Sequence, residues 1–138
     1  MLQKTDFLGV WNITRTIDDR KGRQTGHFSG VATFSEAEQT RLLYDEKGQM
    51  RFGQGAQMLA TRRYIWDFGD TEVRVSFDDE RPFHSFVPNG SGAGTDHPCG
   101  DDFYEVSYDF LQWPLWTAVW KVTGPRKDYT SHTVYTVA

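Results

Sequence analysis

Cys99 is the only cysteine, so no intrachain disulfide can form and an oxidising compartment gets no support. Long apolar runs are missing too. The densest aromatic stretch, Trp113 to Trp120, is interrupted by Pro114 and Thr117 and is far short of a bilayer span. Residues Met1 to Asp6 lack the apolar segment of a secretory signal. These absences predict a cytoplasmic protein with no membrane partner. Basic surface is scarce as well, with 15 Lys and Arg against 19 Asp and Glu and a net charge of −4. The dense basic groups are Arg20-Lys21-Gly22-Arg23, Arg62-Arg63 and Arg126-Lys127, a turn and two pairs. None makes the stripe that displaces counterions from a nucleic acid, so nucleic acid is excluded as a partner.

Helical periodicity is nearly absent. Ser35 to Tyr44 is the one stretch that could take a helical turn, but Leu42 and Leu43 are adjacent rather than three or four apart. The expectation there is one short turn of helix at most, or a plain hairpin turn.

Aromatic residues, by contrast, are abundant. They make up 15% of a chain that is only 38% hydrophobic, which puts much apolar area on few side chains. Such a surplus lines a concave site or forms an interface. A chain of this size buries roughly two-thirds of its unfolded surface, enough for a core without disulfides or metal.

Period-two alternation recurs along the sequence. Phe7, Gly9, Trp11, Ile13 and Ile17 share one face of a first strand; Phe28, Gly30, Ala32 and Phe34 share one face of a second. Further strands are predicted around 41–44, 49–52, 58–68, 73–77, 83–87, 103–110, 116–122 and 129–137. Turn chemistry punctuates them at Asp18 to Gly22, Glu46-Lys47-Gly48, Phe68-Gly69-Asp70 and Thr123-Gly124-Pro125. Pro88 to Gly94 reads as a flexible loop. About ten short, evenly spaced strands indicate an all-β domain over residues 1–138. Polar side chains on both strand faces, such as Arg62 beside Tyr64, favour a barrel over a sandwich, and closure removes exposed edges. The expected fold is a closed or nearly closed antiparallel barrel of about eight to ten strands, with at most one short helix.

Phe7-Leu8-Gly9-Val10-Trp11 resembles the Gly-x-Trp opening of lipocalins and related calycins. In that superfamily the Trp closes one barrel end under a basic side chain from the last strands. The resemblance therefore implies a cation–π contact from Arg126 or Lys127 to Trp11. Three later stretches are Phe77 to His84, His97 to Tyr104 and Trp120 to Tyr129. With the opening, they are similar to a family of short proteins known only as a domain of unknown function with a lipocalin-like barrel. That resemblance spans essentially the whole chain and implies a fold but no activity.

His97, Cys99, Asp101 and Asp102 are the densest polar cluster. As metal ligands they would give an N/S/O set, but Pro98 bends the chain between His97 and Cys99, and no metal is assigned. As nucleophile and base, Cys99 and His97 lack an evident oxyanion hole. A lone His132 on a strand could ligate haem, but nothing else in the sequence supports it. The reading adopted has no cofactor and no catalytic residue. It is a small-molecule barrel whose pocket is lined by Tyr64, Trp66, Tyr104, Tyr108, Trp116 and Trp120. Arg81, His84, His97, Asp102, Arg126 and Tyr129 are expected to orient a small apolar or amphipathic ligand, with Arg81 or His84 meeting an anionic group. The Pro88–Gly94 loop is expected to act as a lid, with His97 and Tyr104 or Asp102 turned inward near Arg126. An enzyme using His97 and Asp102 as an acid–base pair is the alternative, and a partner-binding module is a third. A monomer or homodimer is expected.

Overall fold

Burial alternates residue by residue along the longest strands, which is what a sheet with one covered face requires. The computed structural model describes residues 1–138. One turn of helix, α1 (Lys4–Phe7), precedes β1 (Gly9–Asp19), β2 (Gln24–Glu36), β3 (Arg41–Phe52) and β4 (Met58–Phe68). Then come β5 (Val73–Phe77), β6 (Pro82–Phe86), β7 (Ser91–Ala93), β8 (His97–Cys99) and β9 (Asp102–Asp109). β10 (Trp116–Thr123) and β11 (Asp128–Val137) end the chain. All pair antiparallel in the order β6-β5-β4-β3-β2-β1-β11-β10-β9-β7, with β8 also on β9.

This sheet curls until its edges nearly meet. At the seam, Thr95 N–H donates to Ser85 O at 2.9 Å and Gly94 N–H donates to Val106 O at 2.7 Å. Aromatic contact continues across it, with Phe86 stacked on Tyr108 at 4.0 Å. The fold is the nearly closed antiparallel barrel that the alternation predicts.

Two local expectations are corrected and a third is resolved. Glu46-Lys47-Gly48 is not a turn but the middle of β3. Gly48 faces Gly30 across the β2–β3 pair so closely that a Cβ on Gly30 would sit 2.2 Å from Lys47 O. Glycine here serves backbone approach within a strongly coiled strand pair, not a reversal. The hairpin turn lies between Glu36 and Arg41, as one of the two readings had it, while the helical turn falls at α1. The Pro88–Gly94 segment is not a free loop: Ser91–Ala93 pairs with β9, and Phe110 N–H donates to Gly90 O at 2.8 Å.

The barrel has a sealed end and an open one. At the sealed end, Phe7, Trp11, Trp113 and Trp116 pack ring against ring, and Trp11 Nε1 donates to Phe7 O at 2.9 Å. Trp11 is buried, as a plug should be. Its predicted cation is absent. Trp11 pairs with Val137 and Asp19 with Tyr129, so the β10–β11 turn carrying Arg126 and Lys127 belongs to the opposite end. That is eight residues along β1, roughly 26 Å at about 3.3 Å per residue.

Candidate functional site

The inner face of β1 continues through Arg15, between Ile13 and Ile17, and that of β3 through Tyr44 and Glu46. Arg15 and Glu46 are both buried. On β2, which runs between them, Phe28 lies opposite Arg15 with its ring centre 5.1 Å from the guanidinium carbon, and the next inward positions, Gly30 and Ala32, are small, so the side chain can reach across to Glu46. It donates to both Glu46 carboxylate oxygens, at 2.7 and 2.8 Å, and its Nε donates to Thr133 Oγ1 at 2.7 Å. Tyr44 Oη donates to Glu46 Oε1 at 2.5 Å. Its proton being committed there, Tyr44 accepts from Tyr135 Oη at 2.9 Å.

Burial by itself would push the Glu46 carboxyl up. The bidentate Arg15 bonds and charge, with Arg62 and Tyr44 adding, hold it below the usual carboxylate range instead. Burial raises the Tyr44 phenol well above its ordinary value and pushes Tyr135 up to about 12. The cluster is thus an anion fully answered by a cation, with two neutral phenols attached.

Beside it, Arg62 stands opposite Glu46 in the β3–β4 register. Its Nε is 3.9 Å from Glu46 Oε2, and its guanidinium carbon is 5.0 Å from the centre of the Trp120 ring. Towards the seam, His84 Nε2 lies 2.9 Å from Tyr108 Oη, while His84 Nδ1 is buried without a partner. Burial, with the charge of His97 adding, pushes His84 down to about 3, so the ring is neutral at pH 7. These side chains enclose a void of only about 20 Å³.

Past Arg62 the barrel opens into a cleft of about 290 Å³, floored by Ile17, Met50 and Phe52 and edged by Arg62, Arg126, Lys127, Tyr129 and the carboxylate Asp19. Arg126 is exposed and has no acidic partner. Lys127 Nζ is 3.0 Å from Asp102 Oδ2, donates to Tyr104 Oη at 3.4 Å and lies 5.9 Å from the Tyr104 ring centre. Hydrogen bonding to Asp102 raises its pKa, so it stays charged.

The residues singled out from sequence therefore fall in four places. Tyr64, Trp66, His84, Tyr108 and Trp120 surround the inner void, and Arg126 and Tyr129 edge the open cleft. Tyr104 and Asp102 reach that cleft through Lys127, and Trp116 is buried at the sealed end, stacked on Tyr135 at 3.7 Å. His97 and Arg81 lie elsewhere. His97 borders a groove of about 490 Å³ at the β5–β6 seam, which it shares with His84 and Phe83 as well as Asp67, Arg74 and Asp96, and its ring centre is 6.3 Å from that of Tyr104. Arg81 is exposed, bonded to Asp79 at 2.7 Å and placed over Phe77. So Arg81 does not enter the barrel, and Asp102 bonds Lys127 rather than His97, which separates the acid–base pair. The β7 pairing also removes the free lid.

Arg15, Glu46 and Tyr135 escaped the sequence reading. Strict alternation from Ile13 to Ile17 places Arg15 inside, which is the signal for it in the sequence. Glu46 had no such signal while residues 46–48 read as a turn.

Several solved structures share the trace. A protein of unknown function from the DUF3598 family of Nostoc punctiforme is 17% identical, with a TM-score of 0.64 over 98% of this chain and 48% of that one. The present chain thus spans about half the length of that protein. An S-type phycobiliprotein lyase from Guillardia theta is 7% identical, with a TM-score of 0.61 over 96% of this chain and 87% of that one. A redesigned β-barrel, mFAP1, bound to DFHBI, is 13% identical, with a TM-score of 0.50 over 96% and 97%. At such identities the fold is what is shared. No curated protein matches the sequence. A family model does, over residues 7–137, and the chain belongs to that family, DUF6314, a family of unknown function.

Proposed function

We propose that this protein is a small-molecule-binding barrel that takes an amphipathic ligand at its open end, apolar part inward and anionic group outward. The observation that carries the reading is the cleft itself. An acidic chain gathers Arg62, Arg126 and Lys127 around an apolar floor of Ile17, Met50 and Phe52, a surplus of cations even with Asp19 on the rim and Asp102 bonded to Lys127. Concave, mostly apolar sites with a few convergent polar groups are where small ligands bind. Arg126 supplies the planar fork that suits a carboxylate, and Lys127 adds a point charge. The sealed end is filled with rings, so that end offers no entry. A similar barrel bound to DFHBI supports a small molecule as the occupant over a macromolecule.

Native mass spectrometry of protein purified from its own host tests this by seeking a co-purified small acid. The same spectrum counts copies, with one or two expected. Reversing charge with Arg126→Glu and Lys127→Glu should remove the bound mass while the thermal melt stays close to the parent's. Retention of the mass in the doubly reversed protein would move the site away from the open end.

A further inference from the structure

We propose, resting on the open-end reading, that Arg62 is a movable lid and that the ligand it admits is a compact planar aromatic acid. Arg62 is the one side chain bordering both the open cleft and the inner void. It is held without a hydrogen bond: its Nε is 3.9 Å from Glu46, an ion-pair distance too long for one, and its guanidinium lies over the face of Trp120. Glu46 keeps hydrogen bonds to both carboxylate oxygens without it, from Arg15 and Tyr44, and would lose only the added charge of Arg62. The Arg62 side chain is also 28% exposed, so it needs no unfolding to turn outward. A bidentate bond to a ligand carboxylate is stronger than a partly exposed cation–π contact, so an arriving acid draws Arg62 off the indole.

That movement joins cleft to void and uncovers the Trp120 face. Tyr64 and Phe83 stand edge-on to the same indole, at 6.2 and 5.2 Å between centres. A flat ring entering there meets one π face and the edges of two others, the arrangement that aromatic groups favour. A long alkyl chain finds no path. The inner void holds about 20 Å³, room for a single water, and beyond it Trp66, Tyr108 and Trp116 fill the barrel. The carboxylate stays at the mouth, between Arg62 and Arg126.

Titration calorimetry with 2-naphthoate and decanoate, on the parent protein and on Trp120→Leu and Trp120→Phe, tests the proposal. Naphthoate should bind the parent about tenfold more tightly than decanoate, and Trp120→Leu should remove about that factor for naphthoate only. Trp120→Phe, which keeps a ring, should retain most of the affinity. Nuclear Overhauser contacts from naphthoate to the Trp120 indole, read on the parent, are expected whether or not the variants fold. Equal binding of the two acids overturns the aromatic lid but leaves an anion site at the open end. So does bound naphthoate that shows no contact with Trp120. If neither acid binds the parent, the open-end reading falls, and the lid with it.

Discussion

Arg15 and Glu46, 31 residues apart, form a two-pronged ion pair inside the barrel, its oxygens and nitrogens 2.7 and 2.8 Å apart. Their side chains are 4% and 2% exposed, so neither charge has water to fall back on. The pair ties β1 to β3 across the intervening β2. Thr133 and the two tyrosines extend the tie to β11.

Removing one partner strands the other charge. Arg15→Met or Glu46→Leu should each cost about 3–5 kcal/mol in urea unfolding, whereas the double variant should recover much of that loss. Additive losses would show that the two residues do not act as a pair. Because the Glu46 pKa is lowered on folding, its contribution is present above the unfolded value of 4.5 and is lost as pH falls through the folded value.

His84 governs a different acid window. Its pKa falls from 6.5 to about 3 on folding, so below 6.5 the unfolded chain takes up a proton that the folded one refuses. Stability should decline from pH 6.5 towards 3, by up to about 1.4 kcal/mol per unit from this group. His84→Gln, which can still bond Tyr108, should flatten that limb. An unchanged limb in pH-dependent unfolding would assign it to other groups.

At the sealed end, Trp11→Ala should cost about 3–5 kcal/mol, the range for a large ring deleted from a core. Arg126→Ala and Lys127→Ala should leave the fluorescence of Trp11 and its neighbours unchanged, since both lie at the far end. A spectral change that persists in a Trp120→Phe background, which removes the indole at the open end, would place a cation on that cluster after all.

Gly30→Ala tests the close strand approach. The added methyl would lie 2.2 Å from Lys47 O, and backbone must shift to admit it. Amide exchange in β2 and β3 should accelerate near residues 28–32 and 46–50 while β9 and β10 stay protected. Uniform protection would mean that the pair has slack.

The strands were legible because alternation is a local property: Trp11, Ile13 and Ile17 need only a covered face, whatever covers it. Barrel rather than sandwich was legible from the same source, since Arg62 and Tyr64 on one strand face suit a polar interior. Residues 46–48 misled because Glu-Lys-Gly has the same chemistry in a turn as in a strand whose neighbour needs a glycine. Only the β2–β3 register distinguishes the two. Arg126 over Trp11 failed for a related reason. Nearness in a resembling family's fold does not survive a register that puts Asp19, not Trp11, beside the β10–β11 turn.

What the sequence by itself determined, then, is the period of burial and the stock of aromatic and polar groups, because both depend on each residue and its immediate neighbours. Which polar groups meet was decided by tertiary structure alone. Arg15 finds Glu46 only because β1, β2 and β3 curl with two small residues between the partners. Asp102 bonds Lys127 rather than His97 because the β9 and β10–β11 ends converge at the open mouth. Such pairings depend on strand register and barrel curvature, which are set by the packing of the whole sheet.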